Sequence, residues 1–154
     1  MRHGVRIGVD VGKVRVGVAR SDPHGMLALP VATVPRGAGD IRAILGHAAE
    51  FEASEIVVGL PLSLSGGDTA STGDARAFAA AIAAESAAPP VRLVDERLST
   101  VSAQQALRSA GRTVKNSRAV VDQVAAVIIL QHALDFERSG GHAPGTLVVP
   151  EEGR

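Results

Sequence analysis

The sequence predicts an α/β fold in which a five-stranded mixed sheet is flanked by helices. Three runs rich in Val, Ile and Ala follow one another early in the chain and are joined by short turns, at 5–11, 15–19 and 28–34. Such runs pair as antiparallel strands. Two further apolar runs, at 55–60 and 91–94, each follow a helical stretch. Because strands connected through helices lie parallel, the sheet is expected to be mixed.

Helices are predicted where apolar residues recur at helical spacing, beginning at about residues 40, 72–74, 99 and 118. Asp40 is the expected cap of the first helix, and the last helix, which continues to about Glu137, is unusually apolar. This order of strands and helices is that of the ribonuclease H-like fold. Residues 1–138 are expected to form one such domain. Residues 139–154, where Gly and Pro interrupt any helical period, are expected to form a C-terminal tail that could be mobile.

The composition excludes several classes of protein. With no Cys among 154 residues, disulfides and thiolate metal sites are excluded, which fits a cytoplasmic protein. Three Phe and no Tyr or Trp argue against recognition of single-stranded RNA by stacking on aromatic rings. The N-terminus shows no signal pattern, and no window reaches the roughly 18 apolar residues of a membrane span.

The positive charges, although balanced overall, are concentrated in one block. Five cations and no Asp or Glu occur between residues 97 and 121. Arginine accounts for 14 of the 16 cations in the chain, and its planar guanidinium suits bidentate contact with phosphate. A solvated surface in a protein that favours Arg is the alternative. We interpret the block as a phosphate-contacting surface.

Asp10 is the unusual residue of the first strand, because a carboxylate at the end of a Val- and Ile-rich run needs a cationic partner. Strand alternation places Arg6, Gly8 and Asp10 on one face. Gly8 therefore leaves space beside Asp10, which we expect to serve a divalent metal and a phosphate. A hydrogen-bonded turn residue is the alternative interpretation of Asp10.

Other carboxylates are expected to join Asp10 at one sheet edge. Asp95 and Glu96 end the last predicted strand, and their opposite parity suggests that only one of them joins the site. Asp122 lies on the apolar stripe of the last helix, unless it serves only the helix macrodipole. Converging carboxylates without Cys indicate Mg²⁺ or Mn²⁺. Two such ions, roughly 4 Å apart, would activate water for phosphodiester hydrolysis.

Four motifs, in this order and spacing, resemble the YqgF family of Holliday-junction-resolvase-like proteins, also called pre-16S rRNA nucleases. They are VRIGVDVGKVRVGVA, IVVGLPLSLSG, VDERLST and VVDQVAAVIILQ, and together they cover about residues 4–137. The resemblance implies a fold like that of the resolvase RuvC and three catalytic acids that also hold the metal. By position these acids are Asp10, Glu96 and Asp122.

Supporting residues are expected to bind the nucleic-acid backbone. Arg15, Arg97 and Thr100 match the family motifs, and Gly66 lies in the G-L-P-L loop with Ser63 and Ser65. The loop hydroxyls and N–H groups could bind phosphate, with an ordinary surface loop as the alternative. The substrate-binding candidates are Arg15, Ser63, Ser65, Gly66, Arg97, Thr100, Lys115 and Arg118.

The expected function is that of a Mg²⁺-dependent endonuclease on structured RNA, by resemblance at the immature 5′ end of 16S rRNA. The ribosomal subunit is a candidate partner. Cleavage of four-way DNA junctions is the alternative and would require a homodimer rather than a monomer. A nucleotide-binding protein is a further alternative, because D-x-G also opens the phosphate loop of actin-like kinases. The last is a non-catalytic ribosome-assembly or transcription factor that has kept the fold.

Overall fold

The computed structural model describes residues 3–63, 65–96 and 118–149. The third predicted helix, at 99–110, lies outside these residues. In the part described, the predicted strands and helices occur in the order that the sequence predicts. In chain order they are β1 (Arg6–Val11), β2 (Arg15–Ser21), β3 (Ala28–Pro35), α1 (Asp40–Glu50), β4 (Glu55–Leu60), α2 (Ala70–Ala83), β5 (Val91–Asp95), α3 (Arg118–Gly140) and β6 (Thr146–Leu147).

The sheet is mixed, with the strand order β3-β2-β1-β4-β5-β6. The first three strands form an antiparallel meander, whereas β4 lies parallel to β1 and β5 lies parallel to β4. This agrees with the predicted α/β fold, but the predicted count of five strands is wrong. The sixth strand, Thr146–Leu147, pairs antiparallel with β5 and lies within the predicted tail, 139–154. Two residues are too few to produce a strand pattern in the sequence.

Two helix starts differ from their predicted positions. Asp40 is the first residue of α1 rather than its cap, which is Gly39 in a left-handed conformation. The Asp40 carboxylate nevertheless accepts hydrogen bonds from the N–H groups of Gly37 and Ile41. Helix α2 begins at Ala70, before the predicted Thr72 or Asp74, because Thr69 and Thr72 form a capping box.

The two faces of the sheet carry separate apolar cores. Ile7 and Val9 of β1 pack with Ile44 of α1 and Phe78 of α2 on one face. The other face packs against α3, whose buried residues there are Ala126, Ile129, Leu130, Ala133 and Leu134. No helix in the described part of the chain is long and apolar enough to cross a membrane.

Glycines in three neighbouring strands allow α3 to approach the sheet closely. A Cβ at Gly8 would lie 2.7 Å from the Leu130 Cβ, and one at Gly17 would lie 2.0 Å from the Asp122 carbonyl oxygen. The alternation predicted for β1 is thus correct, since Gly8 faces α3. However, the space beside Gly8 is filled by Leu130 and does not serve a metal or a phosphate. The glycines instead determine where α3 lies.

Candidate active site

Asp10 lies at the centre of the candidate site, near the end of β1. It is paired with Gly17 in the β1–β2 hairpin, and it is one residue beyond the Val9–Val58 pair between β1 and β4. Among the described residues, no group donates a hydrogen bond to its carboxylate. Burial, together with the negative charge of Asp122, raises the pKa of Asp10 from its usual 3.8 to about 6.

Glu96 follows β5 directly and faces α3 as Asp10 does. A Cβ placed on Gly59 of the adjacent strand would lie 2.6 Å from the Glu96 Oε2, so glycine at this position leaves room for the carboxylate where it lies. Burial raises the pKa of Glu96 from its usual 4.5 to about 7, with smaller contributions from the charges of Asp10 and Asp95. The carboxylate of Glu96 is therefore close enough to Asp10 for their charges to repel.

Asp122 is brought to the same edge by the packing of α3. Its backbone carbonyl lies over Gly17, which is itself the hairpin partner of Asp10. Its side chain accepts a hydrogen bond at Oδ2 from the Nε of Arg15, over 2.9 Å. Asp122 thus has a cation at hydrogen-bonding distance from its carboxylate.

The three acids are neighbours but do not form a closed ligand cluster. Among the residues that the structure describes, no group of three or more His, Cys, Asp or Glu side chains is placed to hold a metal ion. Their chemistry nevertheless fits a hard cation, because all donors are carboxylate oxygens and Asp10 has no protein donor in the described part of the chain.

Arg36 binds the hairpin turn after Asp10, although no sequence pattern indicates this role. Its backbone N–H donates to the Val14 carbonyl over 2.9 Å, and its Nη1 donates to the Gly12 carbonyl over 2.8 Å. Its guanidinium also forms a two-point ion pair with Asp74 of α2. These contacts fix the turn against the helices on the opposite face of the sheet.

Polar groups of the loop that follows β4 form hydrogen bonds with one another. The N–H of Gly66 donates to the Ser63 carbonyl over 2.8 Å, and the N–H of Gly67 donates to the Ser63 hydroxyl over 2.9 Å. The hydroxyls of Ser63 and Ser65 are 3.0 Å apart. Two N–H groups that were candidates for phosphate binding are therefore already paired, and the role of Ser63, Ser65 and Gly66 stays a prediction.

The other predicted substrate contacts lie outside the described residues or at their edge. Arg97, Thr100 and Lys115 lie outside the described residues, and Arg118 is the first residue of α3. Their role in binding stays a prediction. A cavity of about 350 Å³ opens beside Glu96, between β5 and α3. Its wall includes His132 and Phe136, neither of which has a sequence pattern that would place it near the acids.

Comparison with protein families matches residues 4–136 to RuvX, described as Holliday junction resolvase. The chain belongs to the RuvX (YqgF) family. Among its relatives, a protein of Clavibacter michiganensis subsp. michiganensis named "Putative pre-16S rRNA nuclease" is 61% identical, over 96% of this chain and 93% of that protein. A protein of Leifsonia xyli subsp. xyli with the same name is 59% identical, over 99% of both chains. The RuvX resemblance of the four sequence motifs is thus confirmed, and the relatives are nucleases by name.

Solved structures confirm the ribonuclease H-like architecture of this RuvX chain. Thermus thermophilus RuvC in complex with a Holliday junction substrate superposes with a TM-score of 0.62 at 19% identity, covering 92% of this chain and 99% of that one. A second structure of Thermus thermophilus RuvC gives a TM-score of 0.54 at 20% identity. At such identities the likeness concerns the fold alone.

Proposed function

We propose that this chain is a Mg²⁺- or Mn²⁺-dependent endonuclease that hydrolyses phosphodiester bonds in structured RNA, at the 5′ end of precursor 16S rRNA. One observation supports the chemistry: Asp10 has no donor among the described residues and lies close to Glu96 and Asp122. Burial, and secondarily the negative charges of neighbouring acids, raises the pKa values of Asp10 and Glu96. Such an arrangement is costly unless a cation is bound. The RNA substrate is supported by the names of relatives 59–61% identical over nearly the whole chain.

The proposed metal ligands are Asp10, Glu96 and Asp122. When bound between them, Mg²⁺ or Mn²⁺ supplies an activated water and charge stabilisation at the leaving oxygen. The protein positions these acids through three elements: β1 carries Asp10, the end of β5 carries Glu96, and α3 carries Asp122. Ile129 of α3 is buried and lies beside Glu96 above Gly59, so apolar packing borders this carboxylate on the core side.

The predicted cations and the polar groups of the loop after β4 are proposed to bind the backbone phosphates of the substrate. Arg97, Lys115 and Arg118 are proposed to contact phosphates by charge, which would make the affinity depend steeply on salt concentration. Ser63 and Ser65 would contribute hydroxyl donors. A substrate that belongs to a ribosome precursor is consistent with a cytoplasmic location for this protein, which is part of the same proposal.

Cleavage of four-way DNA junctions is the second candidate. It is favoured by the description of the RuvX family and by the fold shared with RuvC. The carboxylate chemistry is the same for both substrates, so only substrate geometry distinguishes them. Paired cuts in a junction would require a homodimer, whereas a monomer could process an RNA end.

A cleavage assay on both substrates tests the proposal. Wild-type protein, Asp10→Asn and the control Asp68→Asn, which alters an exposed acid of the loop before α2, are incubated with a precursor rRNA fragment and a synthetic four-way junction. We expect cleavage of the RNA with Mg²⁺ and none with EDTA, loss of activity in Asp10→Asn, and full activity in Asp68→Asn. Equal cleavage by wild type and Asp10→Asn would overturn the proposed chemistry, and cleavage of the junction alone would overturn the proposed substrate.

A further inference from the structure

Arg15 is the first residue of β2 and lies on the α3 face of the sheet. It follows the turn that connects β1 to β2, and its carbonyl accepts a hydrogen bond from the N–H of Gly12 over 3.0 Å. Arg15 lies two residues before Gly17, over which the backbone of Asp122 lies. The turn and the close approach of α3 therefore bring this side chain within reach of Asp122, 107 residues away in the sequence.

The contact between the two side chains uses one oxygen of the carboxylate. The Nε of Arg15 donates to Oδ2 of Asp122 over 2.9 Å, and both side chains are partly buried, with 31% and 24% of their surface exposed. Within the described part of the chain, Oδ1 of Asp122 has no hydrogen-bond partner. Asp122 is also the acid whose charge acts on Asp10. One oxygen of Asp122 is thus held, while the other stays available.

We infer that Arg15 is a positioning residue for the metal site: it fixes Asp122 by Oδ2 so that Oδ1 can bind a divalent cation together with Asp10. This inference rests on the proposed function and assigns Arg15 a role other than direct contact with the substrate. Carboxylates that bind metals are commonly held by a second hydrogen-bonding partner, and loss of that partner weakens metal binding by about 10–100-fold. The planar guanidinium supports such a fixed orientation better than an ammonium group does.

Two other roles of Arg15 predict different changes in metal affinity. If Arg15 acted as a substitute cation that a metal must displace, its removal would free Asp122 and strengthen metal binding. Phosphate contact alone would leave the affinity for free metal unchanged. The sign of the change in Mn²⁺ affinity therefore distinguishes the three roles without any measurement of catalysis.

The test is calorimetric titration of Mn²⁺ into metal-free protein at pH 8. The variants are Arg15→Gln, Arg15→Lys, Asp122→Asn and the double variant Arg15→Gln/Asp122→Asn. Arg20→Gln is the matched control, because Arg20 belongs to the same strand but lies over the ring of Phe51, at 4.7 Å from its centre, on the opposite face of the sheet. Thermal unfolding in EDTA shows that each variant is folded at the titration temperature.

We expect Arg15→Gln to weaken Mn²⁺ binding about 10–100-fold and Arg15→Lys to weaken it less, with Arg20→Gln unchanged. In the Asp122→Asn background, Arg15→Gln should cause no further weakening, because the carboxylate it positions is absent. Unchanged or tighter binding by Arg15→Gln, while wild type binds Mn²⁺, would overturn this inference alone. Absence of Mn²⁺ binding by folded wild-type protein would overturn the proposed metal chemistry and this inference with it.

Discussion

The backbone carbonyl of Asp122 lies over Gly17 so closely that a Cβ on Gly17 would come within 2.0 Å of its oxygen. Gly17 is in turn the cross-strand partner of Asp10. The distance between β2 and α3 therefore determines how near the two acids lie. A residue with no functional group thus controls the geometry of the candidate active site.

Gly17→Ala should destabilise the protein by at least about 2 kcal/mol, because the atom it meets is backbone and cannot move without moving α3. Chemical denaturation measures the free energy of unfolding. Gly46→Ala is the matched control, since a Cβ at Gly46, inside α1, meets nothing within 4 Å. That change should stabilise α1 by up to about 1 kcal/mol through helix propensity. Similar effects of both changes would show that α3 does not depend on Gly17.

Asp10→Asn should stabilise the metal-free protein at neutral pH. The folded-state pKa of Asp10, about 6, lies above its usual 3.8, so the folded protein holds this proton more tightly than the unfolded chain. The stability associated with the neutral carboxyl is present below pH 3.8 and is lost as the pH rises through 6.

In EDTA, the free energy of unfolding of Asp10→Asn should therefore exceed that of wild type by about 1–3 kcal/mol at pH 8, with little difference at pH 4. Denaturation at the two pH values measures this. Asp68→Asn serves as the control for loss of a negative charge. A variant that is less stable than wild type at pH 8 would contradict the electrostatic description of Asp10.

Stabilisation by divalent metal should increase with pH. Asp10 and Glu96 have pKa values of about 6 and about 7, and both must lose their protons before they can bind a cation. Thermal unfolding with and without Mn²⁺ should show a small shift of Tm at pH 5.5 and a larger one at pH 8. A shift that is equal at both pH values would indicate that Mn²⁺ binds to other groups.

Removal of one partner from the buried ion pair between β1 and α3 should strongly destabilise the protein. Arg6 and Glu137 are 1% and 3% exposed, and the Nη2 of Arg6 lies 3.1 Å from the Oε2 of Glu137. Glu137→Gln should cost about 3–5 kcal/mol, because it removes a negative charge that is paired with a buried guanidinium. Asp135→Asn, which removes the exposed partner of Arg138 on the same helix, should cost less than about 1 kcal/mol. Equal costs would contradict the assignment of Arg6 to a buried pair.

Alternation and helical spacing were sufficient to predict most of the fold. The run around Val9 alternates between the two cores as expected, and Gly8 faces α3. The sixth strand could not be predicted, because Thr146–Leu147 is formed by pairing with β5 and has no pattern of its own. The start of α2 was predicted too late because Thr69 was not identified as half of a capping box with Thr72.

Asp10 and Asp122 could be selected as candidate acids from the sequence because each interrupts an apolar pattern, whereas only the family resemblance favours Glu96 over Asp95. The contacts of these acids could not be predicted. The hydrogen bond between Arg15 and Asp122 joins residues 107 positions apart and depends on the packing of α3. The space beside Gly8 could not be assigned correctly for the same reason, since a strand pattern shows which face a residue occupies but not what fills the space. No sequence pattern selects Arg36, and only the folded hairpin shows that its side chain donates to the Gly12 carbonyl.

The central claim is that Asp10, Glu96 and Asp122 share a divalent cation, and diffraction from crystals soaked in Mn²⁺ tests it most directly. We predict an anomalous peak between the three carboxylates, about 2.0–2.3 Å from an oxygen of each. Crystals of Asp10→Asn soaked in the same way should lack the peak or show it greatly reduced. A wild-type map with no peak between these acids, or with Mn²⁺ bound only elsewhere, would contradict the claim.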